Sequence, residues 1–213
     1  MNVGVIGSGD VGKTLAAGFV KHGHEVMVGT REPAKLAEWV KKNPKAKVGG
    51  VNETAAFGEI VVLAVKGSIA AEALRAAGSK NLKGKLVMDA CNPIADVPPV
   101  NGVLQSFTAP NASLMEQLQK EFPEAHLVKA FNSVGAPQMV NPEYRSGKPT
   151  MFICGNDDSA KATTAKILDQ FGWETADMGK AEAARAIEPL CMLWCILGFT
   201  KNEWTHAFKL LRA

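Results

Sequence analysis

The chain has 213 residues, enough for one sizeable hydrophobic core and too few for two full domains. Its 46% hydrophobic and 21% charged residues are ordinary for a soluble globular protein, which argues against both a disordered chain and a membrane protein. The net charge of +3 is spread along the chain without a dense basic run, so nucleic-acid binding is disfavoured as the main function.

Short apolar runs alternate with amphipathic stretches along most of the chain, which is typical of a parallel sheet covered by helices. The predicted strands are 2–6, 25–29, 60–65, 86–90, 126–130, 151–154 and 174–177. Apolar residues at helical spacing predict helices near 11–20, 36–40, 69–74 and 159–171. Because the strands are apolar on both parities, we expect both faces of the sheet to be covered. The sequence therefore predicts an α/β fold.

The segment between the first strand and the first helix fits two phosphate-binding patterns. It matches the dinucleotide fingerprint G-x-G-x-x-G as Gly7-Ser8-Gly9-Asp10-Val11-Gly12. With Lys13 and Thr14 it also matches the mononucleotide loop G-x-x-x-x-G-K-[ST], for which Asp89 would supply the acidic residue on another strand. Both patterns place an anion at a helix N-terminus, where backbone N–H groups and the helix dipole favour it. The glycines alone leave both alternatives open.

The register of the first helix favours the dinucleotide. Val11 is in phase with Leu15 and Phe19, so the helix is predicted to begin near Gly9 or Asp10, one turn earlier than in a mononucleotide loop. The second strand ends at Gly29, which closes a βαβ unit of about 30 residues, the size that the dinucleotide fingerprint expects. We therefore predict a Rossmann-type, doubly wound and mostly parallel sheet that binds a dinucleotide.

The residues after the second strand indicate which dinucleotide is bound. An NAD enzyme carries an Asp or Glu there for the ribose 2′-hydroxyl, whereas this chain has Thr30 and Arg31, with Lys35 close behind. A guanidinium is a planar, permanently charged donor that suits a 2′-phosphate. NADP(H) is therefore the predicted cofactor. In the alternative, Arg31 is a solvated loop residue and Glu32 binds the ribose.

Three more strand ends are expected at the same edge of the sheet. One leads into a small turn that passes near the nicotinamide ribose, with candidate cofactor contacts at Ala64, Val65 and Lys66. Two others end in polar residues, of which Asn92 and Asn132 are candidate cofactor contacts and Lys129 could also touch the nicotinamide or the substrate. The alternative for these three side chains is a structural role at turns and strand edges.

The pattern changes after residue 180. We predict a dinucleotide-binding domain at 1–180 and a short helical appendage at 181–213. Its apolar and aromatic residues could form a wall for a planar acceptor, for which the candidates are Met192, Trp194 and Leu197. In the alternative, this helix is core or a dimer interface. The four cysteines lack the clustering of a zinc site, so we predict reduced, buried thiols and no metal.

Several motifs together resemble the NADP oxidoreductases that depend on the deazaflavin coenzyme F420, and also the reductase domain of the STEAP metalloreductases. They are the glycine loop, His22-Gly23-His24-Glu25-Val26, Gly29-Thr30-Arg31, Asp89-Ala90-Cys91-Asn92-Pro93 and Lys129-Ala130-Phe131-Asn132. The resemblance covers residues 1 to about 180. It implies a dimeric enzyme that moves hydride between NADPH and a flavin-like acceptor. At Val65-Lys66 the chain departs from the proline expected in the F420-dependent enzymes.

The resemblance also implies roles for matching residues. Ser8, Asp10 and Val11 would lie at the pyrophosphate, and Thr30, Arg31 and Lys35 would surround the 2′-phosphate. The predicted function is hydride transfer between NADP(H) and F420 or a flavin, in a cytoplasmic homodimer without a membrane or nucleic-acid partner. No catalytic side chain is predicted, because the two cofactors carry this chemistry. The alternatives are a reductase of a small carbonyl or imine and a non-catalytic NADPH sensor.

Overall fold

The computed structural model describes all residues, 1–213. The strands are β1 (Asn2–Ile6), β2 (Glu25–Gly29), β3 (Ala46–Gly49), β4 (Ile60–Leu63), β5 (Leu86–Asp89), β6 (His126–Lys129), β7 (Thr150–Gly155) and β8 (Glu174–Asp177). The helices are α1 (Asp10–Lys21), α2 (Ala37–Lys42), α3 (Val51–Phe57), α4 (Ala70–Ala77), α5 (Ser79–Leu82), α6 (Leu114–Glu121), α7 (Asp158–Gln170), α8 (Ala184–Ile187) and α9 (Pro189–Lys201).

The strands form one eight-stranded sheet in the order β3-β2-β1-β4-β5-β6-β7-β8. The first six strands are mutually parallel, while β7 pairs antiparallel with β6 and parallel with β8. Order 3-2-1-4-5-6 is that of the dinucleotide-binding Rossmann fold, whose ligand crevice lies where the strand order reverses, between β1 and β4. The predicted doubly wound, mostly parallel sheet is therefore confirmed.

Helices cover both faces of the sheet, because apolar side chains of each strand alternate between two cores. On β4, Val62 points into the core under α1 and α7, where Phe19 and Phe171 lie. Val61 and Leu63 point into the other core, under α3, α4 and α6. Successive strand residues face opposite sides, so a strand that is buried on both faces must be apolar throughout.

The C-terminal segment has a small core of its own. Cys191, Trp194 and Cys195 of α9 pack together with partly buried residues of the 92–113 connection and of the tail. The tail then crosses to β7, where Thr150 donates its N–H to the Phe208 carbonyl at 2.9 Å. The helical appendage is thus present, and the predicted boundary at residue 180 stays a prediction.

One helical stretch, Ala181–Lys201, is long and apolar enough to cross a membrane by length and composition alone. In the structure the stretch includes Glu188, which is buried and bonded to the body of the protein, and 39% of its most apolar window is buried. Helices that pack in protein cores meet the same criterion, so the absence of a membrane partner stays a prediction.

Most predicted elements match the structure to within two residues, but four were missed. β1, β2 and β8 have the predicted bounds, and α1 and α7 lie where the apolar spacing placed them. The missed elements are β3, α3, α5 and α6, all of them short. For α6 a signal was present, because Ser113 and Glu116 form the S-x-x-E pattern of a helix start, and the Ser113 hydroxyl accepts the Glu116 N–H at 3.1 Å.

Candidate functional site

The glycine loop lies at the N-terminus of α1. The helix begins at Asp10 with Gly9 as its N-cap, and its first intrahelical bond runs from the Lys13 N–H to the Gly9 carbonyl at 2.9 Å. The N–H groups of the first turn have no intrahelical partner and are available to an anion. The early helix start that was predicted from the register of Val11 is confirmed.

Two glycines of this loop allow close packing that no other residue would permit. Gly7 has φ +127°, and a Cβ there would overlap the carbonyl oxygen of Ala64. A Cβ on Gly12 would overlap the carbonyl oxygen of Gly7. The loop therefore lies flat against the end of β4 and leaves open the space in front of the helix terminus.

A cavity of about 480 Å³ lies over this loop, at the carboxyl ends of β1, β2, β4 and β5. Ten predicted cofactor residues line it: Gly7, Ser8, Gly9, Asp10, Val11, Thr30, Arg31, Ala64, Val65 and Lys66. The other four predicted residues do not line the cavity: Gly12, which lies against the Gly7 carbonyl, and Lys35, Asn92 and Asn132. The cavity therefore occupies the crevice where open α/β sheets bind nucleotides.

The opposite wall of the cavity was not predicted. It consists mainly of small or apolar residues of α3 and of the segment around α4, together with one carboxylate: Val51, Ile69, Glu72, Ala73 and Ala76. Ile69, Ala73 and Ala76 recur at helical spacing, which is the signal that could have indicated a second face on α4. Alanines leave a flat slot that suits a planar base.

The end of β2 places its polar residues at one end of the cavity. Thr30 is 9% exposed, and its hydroxyl lies 3.1 Å from the Ser8 hydroxyl and accepts the N–H of Glu32 at 3.1 Å. Arg31 and Lys35 extend outward, and their side chains are 74% and 66% exposed. The Thr30 hydroxyl and the Arg31 guanidinium therefore lie at one end of the slot, with the exposed Lys35 ammonium outside the cavity lining, and such donors suit a phosphate.

Asn92 and Asn132 bond to each other behind the cavity. The Asn92 amide donates to the Asn132 carbonyl at 2.8 Å, and the Asn132 amide donates to the Ile187 carbonyl at 2.9 Å. The Asn132 side-chain oxygen is buried and has no hydrogen-bond partner. Phe131, just before it, has φ +61°, an uncommon and strained conformation for a bulky residue. Direct cofactor contact by the two asparagines stays a prediction.

Lys129 lies in a buried ion cluster. Its ammonium is 2.6 Å from the Asp89 carboxylate, 2.9 Å from the Glu188 carboxylate and 2.9 Å from the Cys91 carbonyl. The Asp89 Oδ2 atom has no hydrogen-bond partner, so its contact with Lys129 is an ion pair. Burial by itself lowers the pKa of Lys129, but the two carboxylates raise it, and the net pKa lies above the ordinary value. Lys129 is therefore a permanent buried cation.

Glu188 joins this cluster to two other elements. Its carboxylate accepts the N–H groups of Leu114 and Met115, both at 2.9 Å, which are the first residues of α6. It therefore satisfies two free amides of that helix and also fixes the start of α9. The ionic contacts of Lys129 to Asp89 and Glu188 favour a structural role for Lys129 over contact with the nicotinamide or the substrate. They also join three segments that are distant in the chain.

The three candidate acceptor residues differ in exposure. Trp194 is 6% exposed, lies against Gly135, packs at a tilt of 49° against the Trp204 ring, and donates its indole N–H to the His206 carbonyl at 2.8 Å. Met192 and Leu197 are half-buried, and neighbouring Leu193 is 55% exposed. Trp194 thus serves the packing of the tail, whereas an acceptor role for the three residues stays a prediction. No group of three or more His, Cys, Asp or Glu side chains is placed to hold a metal ion.

The strand order, the glycine loop and the crevice define a protein of the class that binds nicotinamide dinucleotides on a Rossmann fold. Residues 2–93 match the family model of NADP oxidoreductases that are coenzyme F420-dependent. A crystal structure from Arthrobacter sp. FB24, described as a candidate F420-dependent NADP-reductase, is 35% identical, covers 100% of both chains and superposes with a TM-score of 0.93. The chain belongs to the F420-dependent NADP oxidoreductase family.

More distant relatives share parts of this architecture. The metalloreductase STEAP3 of Rattus norvegicus is 29% identical over 188 residues, which is 88% of this chain and 36% of the relative. The chain therefore spans about a third of the length of the curated relatives that it matches. An imine reductase of Streptomyces aurantiacus superposes with a TM-score of 0.67 at 17% identity, over 91% of this chain and 61% of that one. This last likeness shows the fold alone.

Proposed function

We propose that the protein transfers hydride between NADP(H) and a deazaflavin of the F420 type or a flavin. The observation that carries the proposal is the position of Thr30 and Arg31, which lie at the end of β2 and line the same cavity as the glycine loop. An NAD enzyme carries a carboxylate at that strand end, whereas this chain has Thr30 and Arg31 there. The first carboxylate, Glu32, comes one residue after Arg31.

The residues around the cavity fit this cofactor. The free amides of α1 would hold the pyrophosphate, and the slot between Val51 and Ala76 would hold the adenine. The Thr30 hydroxyl, Arg31 and Lys35 would hold the 2′-phosphate, while Lys66 stands exposed on the rim. When bound, the nicotinamide supplies the hydride. The chain itself orients the ring and excludes water beside the turn at Val65.

The lack of a histidine or tyrosine in the cavity lining favours an acceptor that is itself a redox cofactor. Reduction of a ketone or imine needs a proton donor, and none of the residues lining the cavity is a histidine or tyrosine. Hydride transfer between two ring systems needs distance, orientation and shielding from the protein instead. Met192 and Leu197 are half-buried on α9 and do not line this cavity, so their place beside the acceptor rests on the sequence pattern alone.

The cofactor assignment is tested by Arg31→Ala. We expect the dissociation constant of NADPH to rise about ten- to a hundred-fold, because one charge-assisted bidentate contact is lost, while that of NADH changes little. Arg145→Ala is the matched control, since Arg145 is exposed and does not line the cavity. Equal effects of Arg31→Ala on NADPH and NADH would contradict the assignment.

The acceptor is tested by turnover. The purified protein is mixed with NADPH and either F420, FMN or FAD, and the oxidation of NADPH is followed. Steady turnover with F420 or a flavin supports the proposal. Turnover only with small imines or carbonyls would favour the reductase alternative. Tight NADPH binding with no turnover on any acceptor would favour a non-catalytic sensor.

We also propose that the protein is a homodimer. Leu193 is 55% and Phe199 is 48% exposed on α9, and Val100 and Val103 of the neighbouring connection are also exposed. Light scattering after size exclusion should give twice the chain mass, and Leu193→Glu should shift the protein towards the monomer. A monomer at micromolar concentration would contradict this proposal.

A further inference from the structure

Arg31 and Glu72 face each other across the cavity. The guanidinium of Arg31 lies 3.5 Å from the Glu72 carboxylate, and both side chains line the cavity. Arg31 follows β2, whereas Glu72 belongs to α4, the element that forms the opposite wall. The pair therefore bridges the two walls at the end of the slot where the 2′-phosphate is expected.

The second cation at this end is also neutralised. The Lys35 ammonium lies 2.8 Å from the Glu32 carboxylate. Each cation that could bind the 2′-phosphate thus has one carboxylate as its partner, so this end of the cavity has no net charge from these four side chains. A dianionic phosphate that binds here has to compete with the carboxylates.

The two carboxylates differ in origin. Glu32 is local to the phosphate loop and pairs with a residue three positions away, whereas Glu72 reaches Arg31 from another element. On α4, Glu72 shares the cavity face with Ala73 and Ala76, while Arg75 does not line the cavity and pairs with Glu121. Glu72 therefore faces the cofactor cavity because of its position on the helix.

We propose that Glu72 is a specificity-determining residue that weakens the preference for NADPH over NADH. Its carboxylate competes with the 2′-phosphate for Arg31 and repels that phosphate. A dinucleotide with a free 2′-hydroxyl does not require Arg31 and leaves the Arg31–Glu72 pair intact. The inference rests on the proposed binding of NADP(H) in this cavity.

The Arg31–Glu72 ion pair is weak enough for a phosphate to displace the carboxylate. An exposed ion pair contributes little to stability, since solvent screens it and both side chains are mobile. A phosphate can accept two N–H bonds from Arg31 and carries a larger charge than the carboxylate, whose contact here is a single one of 3.5 Å, so the phosphate displaces it. The displaced Glu72 remains near the phosphate, and its repulsion reduces the affinity for NADPH.

The test is Glu72→Gln, which keeps the shape of the side chain and removes its charge. We expect NADPH to bind about two- to five-fold more tightly and NADH to bind unchanged, in titrations at about 50 mM salt, where screening is weak. Glu121→Gln is the matched control, because it breaks the ion pair with Arg75 of the same helix, and neither residue lines the cavity. Circular dichroism should show that both variants are folded.

The outcomes separate this inference from the proposed function. If Arg31→Ala weakens NADPH selectively but Glu72→Gln leaves the NADPH affinity unchanged or lowers it, Glu72 is not a specificity determinant and only the inference is overturned. If Arg31→Ala affects NADPH and NADH equally, the cofactor assignment itself fails. Tighter binding of both dinucleotides to Glu72→Gln would also overturn the inference.

Discussion

Lys129 and Glu188 form a buried ion pair of 2.9 Å between the end of β6 and the start of α9. Neither side chain is more than 2% exposed, and the Asp89 carboxylate on β5 completes the cluster. Ion pairs in an apolar interior are costly to create, because both charges lose their water. Once the cluster has formed, removal of one charged group leaves its partners buried and unpaired. The cluster therefore holds the start of α9 against the ends of β5 and β6.

Replacing Lys129 by methionine should destabilise the protein strongly. The change leaves two carboxylates buried without a cation, and the expected loss is about 3–5 kcal/mol of unfolding free energy. Urea unfolding measures it. Lys41→Met, which breaks an exposed pair with Glu38, should leave the stability nearly unchanged. A similarly small effect of Lys129→Met would show that the cluster is not needed for folding.

Gly7→Ala should damage both folding and nucleotide binding. The new Cβ would overlap the Ala64 carbonyl, and relief of that overlap moves the loop away from β4. Gly23→Ala is the matched control, because Gly23 also has positive φ but has open space around it. We expect the control to lose about 1–2 kcal/mol from backbone strain alone and to keep NADPH affinity. Normal NADPH binding by Gly7→Ala would contradict the assigned loop.

Alkaline pH should weaken the fold through its buried thiols. Burial raises the pKa of Cys154 to about 12, whereas an unfolded chain has a thiol pKa of about 8.5. The contribution of the neutral Cys154 thiol to the unfolding free energy is fully present below pH ~8.5. It is lost as the pH rises towards 12, by about 1.4 kcal/mol for each pH unit.

The contribution of Cys154 is measured by comparison with Cys154→Ala in reducing buffer. Unfolding free energies are determined between about pH 8 and pH 11, where the unfolded thiol titrates. The wild-type protein should lose stability more steeply than the variant, so that the difference between them changes with pH. Parallel curves would show that the Cys154 thiol ionises equally in both states.

Gly198→Ala should release the C-terminal tail. A Cβ on Gly198 would overlap the ring of Trp204. This ring is 38% exposed, and its centroid lies 5.6 Å from that of Trp194. The Trp204 ring can turn outward, so we expect a red-shifted tryptophan emission, faster proteolysis of residues 202–213 and a loss of about 1–3 kcal/mol. Thr200→Ala, at an exposed position on α9, should change none of these.

The elements that were predicted correctly depend on local sequence. β1 and β2 are continuous apolar runs, and the start of α1 follows from the phase of Val11. β3 was missed because its sequence, Ala-Lys-Val-Gly, is short and contains a lysine, and its pairing with β2 makes it a strand. α3 was missed because it starts without a side-chain cap. In both cases tertiary contacts outweigh the local signal.

For the site, the sequence by itself predicted the phosphate loop, the pair Thr30 and Arg31 and the convergence of several strand ends at one edge of the sheet. Each of these is a run of adjacent residues whose conformation follows from glycine, strand and helix signals. Only the tertiary structure decided that Glu72 faces Arg31 and that Lys129 is neutralised by Asp89 and Glu188. These partners are distant in the chain, and only the packing of helices on both faces of the sheet brings their charges together.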